Sequence, residues 1–178
     1  MPLKADLDAI DWKILRELQN DGRMTNVELS SRVGISAPPC LRRVRRLEEA
    51  GIIASYHAQL SPDAIGLGVT VFVQVRLATH SPENSKRFVR LIDSLDEVQE
   101  AYALTGDADY MVKLTVPDLK ALSHILNDVF LPHESVAHVH SSIVLDRLKQ
   151  SARLPLAHLT KASDTETERG TKRQRRAR

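Results

Sequence analysis

Three stretches of helical periodicity open the chain. Ile10, Ile14 and Leu18 recur at four-residue intervals behind Asp8, a good N-cap, and Leu15 widens the stripe, so a first helix runs to about Asn20. Asp21-Gly22 is a turn signal. Thr25 and Glu28 then stand at capping-box spacing, with Val27, Leu29 and Val33 as the buried side of a short second helix. Gly34 allows a left-handed turn and Ile35 offers an apolar plug before the stretch from Ser36 to Gly51. There Cys40, Leu41, Val44 and Leu47 gather on one side at about 100° per residue. Ser36 suits the N-cap, Pro38 and Pro39 need no intrahelical donor in the first turn, and Gly51 suits the C-cap.

Beyond Gly51, Ile52-Ile53 and Tyr56 to Leu60 predict a short β-hairpin, the wing of a winged helix-turn-helix. Tyr56 and His57 either touch the phosphate backbone from that wing or fill the hairpin or the domain junction. Ser61 to Gly68, with Pro62, Gly66 and Gly68, is a connection, and past it the period changes from helical to alternating. Val69, Val71, Val73, Val75 and Leu77 share one face of a strand, with Phe72 on the other. Ser81-Pro82 opens a helix through Phe88, Leu91, Ile92 and Leu95. Strands follow at Val98 to Leu104 and Tyr110 to Val116, hinged at Thr105 to Asp109. Asp118 opens a helix that Pro132 stops, and Val136 to Leu145 is the last strand. The order β-α-β-β-α-β is the ferredoxin-like arrangement, two helices on one face of a four-stranded antiparallel sheet.

The predicted fold class is therefore α+β: a winged helix-turn-helix domain at 1–60, a linker at 61–68, a ferredoxin-like βαββαβ domain at 69–150, and a polar, basic tail at 151–178. The open face of such a small sheet, carrying Phe72, needs a cover, and a second copy of the same sheet is the economical one.

Composition narrows the function classes. The chain has 178 residues, 42% of them hydrophobic and 4% aromatic, which argues against stacking platforms for single strands. One cysteine, Cys40, makes no internal disulfide and fits a reducing compartment with a packing role. No apolar run approaches eighteen residues and the N-terminus is not signal-like, so the expectation is a soluble cytoplasmic protein without a membrane partner. Basic residues exceed acidic ones by one in 1–60 and by five in 151–178, while acidic residues lead by four in 61–150. Contacts to nucleic acid belong to the N-terminal helices and the tail rather than to the acidic middle.

The four arginines of the third helix give it a basic outer face, Arg42 and Arg46 most outward, Arg43 and Arg45 beside them. A helix, a glycine turn and a capped basic helix make the layout whose second helix enters the major groove of double-stranded DNA; a solvated basic helix of an ordinary bundle is the plainer reading. Leu104 to Tyr110 reads LTGDADY. Gly106 permits close approach, Asp107 or Asp109 can receive an α-ammonium group, and exposed backbone N–H groups can receive a carboxylate, which suits an amino acid ligand. A polar turn and a metal site compete with that reading, the metal short of oxygen ligands. The two aspartates could also serve as acid and base, but no Gly-rich phosphate loop or nucleophile motif accompanies them, which counts against an enzyme. His124, His133, His138 and His140 form no metal-ligand motif.

Both halves, in this order, resemble the Lrp/AsnC, or feast/famine, transcriptional regulators. The likeness covers roughly 7–150 and rests on LDAIDWKIL, DGRMTNVELSSRVGIS, PCLRRVRRLEEAGII, and Tyr56 with Ala58, then TGDADYMVK, VPDL and SSIVL; the leucine-responsive branch is the most similar. The resemblance implies a DNA-binding regulator that dimerises through its C-terminal (RAM-type) sheet, assembles into rings such as octamers, uses no cofactor, and binds a small amino acid, leucine among the candidates, where those domains meet. Carried over by position, the effector cleft would use Leu104, Gly106, Asp107, Asp109 and Tyr110 with Ser142, Ile143 and Val144. The reading helix would use Ser36, Pro38, Arg42 and Arg43 near bases and Arg45 and Arg46 at phosphates. The tail departs from the pattern: Ala162 to Arg178 lacks apolar periodicity and ends with six basic residues in ten, so disorder is expected there, adding phosphate affinity or only solubility. A ligand-independent architectural protein that wraps nucleoid DNA is the alternative.

Overall fold

The computed structural model describes residues 7–151 and 153–156, so the disorder expected from Ala162 onward lies outside the described residues. The chain divides into two compact units, Met1–Ala58 with Gln150–Arg178, and Gln59–Lys149.

In the first unit α1 (Ala9–Asn20), α2 (Asn26–Val33) and α3 (Ala37–Glu49) close around Ile14, Leu15, Leu29, Val33, Cys40 and Leu47. Asp8 caps α1 in a reciprocal box with Asp11, and Thr25 caps α2 in another with Glu28. Gly34, at φ +80°, ends α2 left-handed, where a side chain would be strained. Asn26 Nδ2 donates to the Ala37 carbonyl at 2.8 Å, pinning the start of α2 to the start of α3.

Two expected core residues turn outward: Val27 is 69% exposed and Leu41 39%. Ser30 faces inward instead, its hydroxyl donating to the Val27 carbonyl at 2.8 Å, so the inward stripe of α2 runs through Leu29, Ser30 and Val33.

The expected wing hairpin is not formed among the described residues. Ile52 and Ile53 both donate their N–H groups to the Leu47 carbonyl, at 2.9 and 3.1 Å, and pack on the three-helix core. They finish α3 and have no ladder to offer. Tyr56 donates its hydroxyl to Glu48 at 2.9 Å and lies over Gly22, where an added Cβ would come within 3.3 Å of its ring. Burial, then the hydrogen bond to Glu48 and the charge on that carboxylate, push its pKa up to about 12. The filling role fits it better than a backbone contact.

The tail's first residues are held on the helical unit. Leu154 donates its N–H to Gln19 Oε1 at 2.6 Å, Gln19 Nε2 returns a bond to the Leu154 carbonyl at 3.4 Å, and Leu156 packs on the helical core.

The second unit holds β1 (Val69–Leu77), α4 (Pro82–Asp93), β2 (Val98–Ala103), β3 (Tyr110–Val116), α5 (Leu119–His124) and β4 (Val136–Ile143), with a short 3-10 turn at Asp63–Ile65 before them. The strand order is β2-β3-β1-β4, every pair antiparallel. Alternation in β1 buries Val71, Val73, Val75 and Leu77 against Phe88 and Ile92 of α4 and Leu122 of α5. α5 widens into a π turn at Ile125–Phe130, in which the Leu131 N–H reaches the Leu126 carbonyl. That widening brings both Ile125 and Phe130 into the core. On the opposite face Phe72, 36% exposed, is the cross-strand partner of Lys113, which pairs with Glu100 at 2.6 Å, and Tyr102 and Met111 share that face.

Candidate nucleic-acid interface and ligand site

The basic helix carries its own logic at the N-terminus. Ala37, Pro38 and Pro39 occupy the first three helical positions, so the N–H groups that an N-cap hydroxyl normally accepts from are missing. Ser36 accordingly sits at the cap without a side-chain cap bond, a correction to its expected role, and its exposed hydroxyl has no capping partner to occupy it. Pro38, Arg42 and Arg45 follow on the same side of α3, all exposed, and neither arginine forms an ion pair among the described residues. Glu49 continues that stripe into the last turn, where its charge would repel phosphate, so the groove-compatible part of α3 is its first two to three turns.

Arg43 and Arg46 are placed differently from the other two. Arg43 Nη1 lies 2.6 Å from Asp8 Oδ2 and 2.9 Å from Asp11 Oδ1, and Arg46 Nη2 pairs with Asp11 Oδ2. Asp11 is fully buried. Hydrogen bonds to Asp11 and then Asp8 raise the Arg43 pKa against the opposing effect of burial. Cys40 sits in the core, where burial pushes its thiol pKa up, in keeping with packing.

In the second unit the 104–110 loop is anchored at both ends and open in the middle. The Leu104 N–H donates to the Asp109 carbonyl at 2.8 Å, and the Asp109 N–H to the Val75 carbonyl at 3.0 Å. Between them Thr105, Gly106, Asp107 and Ala108 donate their N–H groups to no acceptor among the described residues, and Gly106 adopts φ +117°. A run of unpaired N–H groups has the chemistry to receive a carboxylate. The two aspartates are not equivalent. Asp109 Oδ2 accepts the Leu77 N–H at 2.8 Å and its Oδ1 lies 3.3 Å from His80 Nδ1, so its carboxylate is committed to the end of β1. Asp107 is exposed; its carbonyl accepts from Arg76 Nε at 3.1 Å, leaving the carboxylate open. Among the described residues no three His, Cys, Asp or Glu side chains gather as a metal site.

The remaining candidates lie elsewhere on the sheet. Tyr110 is opposite Val75, whereas Ser142 and Ile143 are opposite Phe72 and Val71 on the other side of β1, and the Val144 N–H donates to the Thr70 carbonyl. Four residues along β1 and two strand spacings put the loop and the 142–144 segment about 16 Å apart. One chain does not bring the two halves together. A groove of about 620 Å³ runs between α4 and β2, lined by Val89, Ile92, Val98, Tyr102 and Tyr110 among others; sequence reasoning did not anticipate it, and of the expected effector residues only Tyr110 reaches it.

Known proteins resemble both units. A model of the Lrp/AsnC ligand binding domain matches residues 70–154, and a winged helix-turn-helix DNA-binding model matches residues 7–54. The leucine-responsive regulatory protein of Escherichia coli K12 is 44% identical over 149 residues, 84% of this chain and 91% of that protein. A transcriptional regulator of Neisseria meningitidis, crystallised as its complex with L-methionine, superposes with a TM-score of 0.83 at 42% identity, over 86% of this chain and 99% of that one. Escherichia coli AsnC superposes with a TM-score of 0.76 at 28% identity, over 84% and 99% of the respective chains.

Proposed function

The chain belongs to the Lrp/AsnC family of transcriptional regulators, which are not enzymes, and from that premise we propose how its own residues bind DNA and sense an effector. The protein grips double-stranded DNA with α3, Ser36 and Pro38 entering first and Arg42 and Arg45 giving the base or phosphate contacts. The observation that carries this reading is the exposed, uncapped basic stripe, unpaired among the described residues, on a helix whose start Asn26 holds against α2. It acts as a homo-oligomer, a dimer or a ring such as an octamer, in the cytoplasm on the nucleoid. The ligand-binding domain in the second unit disfavours a purely architectural wrapper.

The effector is a small neutral amino acid of the leucine or methionine kind. Its carboxylate meets the N–H groups of 105–108, its ammonium meets Asp107, and its side chain meets Ile143 and Val144 of a second copy. Two copies are required because the loop and the 142–144 segment lie too far apart in one chain to share so small a ligand. Phe72, Tyr102 and Met111 support a contact between sheets.

Mixing two defective chains tests the arrangement. Asp107→Ala and Ile143→Asp each abolish the response of duplex binding to leucine or methionine. Mixed dimers of the two regain one intact site, so the response returns in part. A site contained in one chain gives no recovery, and that result refutes the shared cleft.

A further inference from the structure

The four arginines of α3 have two different environments, and the division is made by one buried carboxylate. Asp11 of α1 is fully buried, yet each of its oxygens meets a guanidinium from α3: Oδ1 meets Arg43 and Oδ2 meets Arg46. Its Oδ2 also accepts the Asp8 N–H at 3.2 Å, and Asp8 in turn holds Arg43 with its own Oδ2. The capping box that starts α1 is thus also the socket that receives α3. Two negative and two positive charges close on one another, and the cluster presents no net charge to solvent.

We infer that Asp11 is a positioning residue for DNA recognition: it withdraws Arg43 and Arg46 from the nucleic-acid surface, fixes the rotation of α3 about its axis, and leaves Arg42 and Arg45 as the reading pair. This rests on the DNA-binding function proposed above and assigns the arginines differently from their sequence pattern alone. The physical reason is desolvation. A carboxylate with no access to water must keep its partners, because losing one leaves a buried charge uncompensated, a far larger penalty than an exposed arginine gains from one phosphate. Phosphate oxygens therefore compete poorly for Arg43 and Arg46, whereas Arg42 and Arg45 have no carboxylate to leave among the described residues. Arg43 and Arg46, three residues apart, lie on adjacent turns of α3, and two anchors on one side of a helix stop it from rolling. A roll of one residue, about 100°, would carry Arg42 out of the groove.

The full chain tests this through the salt dependence of its binding to a mixed-sequence duplex, since each phosphate contact contributes about 0.9 to the slope of log K against log salt. Arg42→Ala and Arg45→Ala are expected to shallow that slope or to blur the sequence preference recovered from a random duplex pool. Arg43→Gln and Arg46→Gln leave the slope unchanged. Asp11→Asn, nearly the same shape, is expected to steepen the slope by about 0.9, as Arg46 loses its carboxylate while Arg43 keeps Asp8, and to broaden the preferred sequence. A purely structural role for Asp11 would weaken binding without steepening anything. The inference is overturned if Arg43→Gln or Arg46→Gln shallows the slope by about 0.9, or if folded Asp11→Asn keeps the native slope. Should Asp11→Asn lose its helical circular dichroism, the two arginine variants decide alone, since each leaves Asp11 its other guanidinium. A native chain that does not bind duplex at low salt would instead remove the DNA-binding reading itself, a distinct result.

Discussion

Asp109 and Asp107 stand two residues apart in the 104–110 loop, and replacing each by alanine should have different signatures. Asp109 is partly buried, its carboxylate 22% exposed, and it accepts the Leu77 N–H at 2.8 Å at the end of β1. A hydrogen bond to a charged group contributes about 1.5–3 kcal/mol. The neighbouring His80 is 75% exposed and adds little. Because water can reach the vacated Leu77 N–H in part, the lower half of that range applies, about 2 kcal/mol. For a unit of about ninety residues that corresponds to a fall in melting temperature of about 10 °C. Scanning calorimetry of the full chain measures the shift, and hydrogen exchange at the Leu77 amide reports its cause directly. Asp109→Ala should lose stability, Leu77 protection and effector response together. Asp107→Ala should lose only the response, with the melting temperature unchanged within about 2 °C, as expected for a surface substitution. Equal stability of Asp109→Ala and the native chain, or a destabilised Asp107→Ala, would refute this division of labour.

Other perturbations follow from the same contacts. Asn26→Ala removes the bond to the Ala37 carbonyl and should weaken duplex binding several-fold, about 1 kcal/mol, while the salt slope stays put; fluorescence anisotropy at several salt concentrations reads both. Burial alone would raise the Asp8 pKa, but hydrogen bonds from the Asp11 N–H and from Arg43 outweigh it, and the folded value falls below the ordinary 3.8. A depressed folded pKa means that this share of stability is intact above about pH 4 and drains as pH falls through the folded value, so acid titration followed by Trp12 fluorescence should show the helical unit loosening only below that range. Asp8→Asn should flatten that acid limb. Phe72→Asp puts a charge on the open sheet face and should shift the mass measured by light scattering toward monomer, with the effector response lost at the same time.

What the sequence disclosed and what it hid divide along a physical line. Strict alternation from Val69 to Leu77 set both ends of β1, and the Asp8 and Thr25 caps set two helix starts, because local stereochemistry decides such features. Val136 to Leu145 has the pattern of a strand, but β4 ends at Ile143, since Leu145 is almost fully exposed and has no core to alternate against. Leu119, Leu122, Ile125, Leu126, Val129 and Phe130 predict one helix up to Pro132, and Phe130 is fully buried as that pattern requires; the π turn at Ile125–Phe130, which leaves Val129 only half-buried, has no signal in it. Two prolines mark the start of α3 clearly, yet their effect on Ser36 emerges only when both are counted as missing donors. Helical angles said where Arg43 and Arg46 point but not that Asp8 and Asp11, more than thirty residues earlier, would meet them. The separation of the 104–110 loop from residues 142–144 likewise needs the strand register, which composition does not contain.

The most direct test of the central claim is a titration of the full chain with leucine and methionine, following duplex affinity and molar mass in the same samples. The account predicts tight duplex binding by an oligomer at low salt, and a coordinated change of affinity and mass as at least one of the two ligands saturates. A monomer that binds duplex unaltered by either amino acid, or an oligomer with no affinity for duplex, would contradict it.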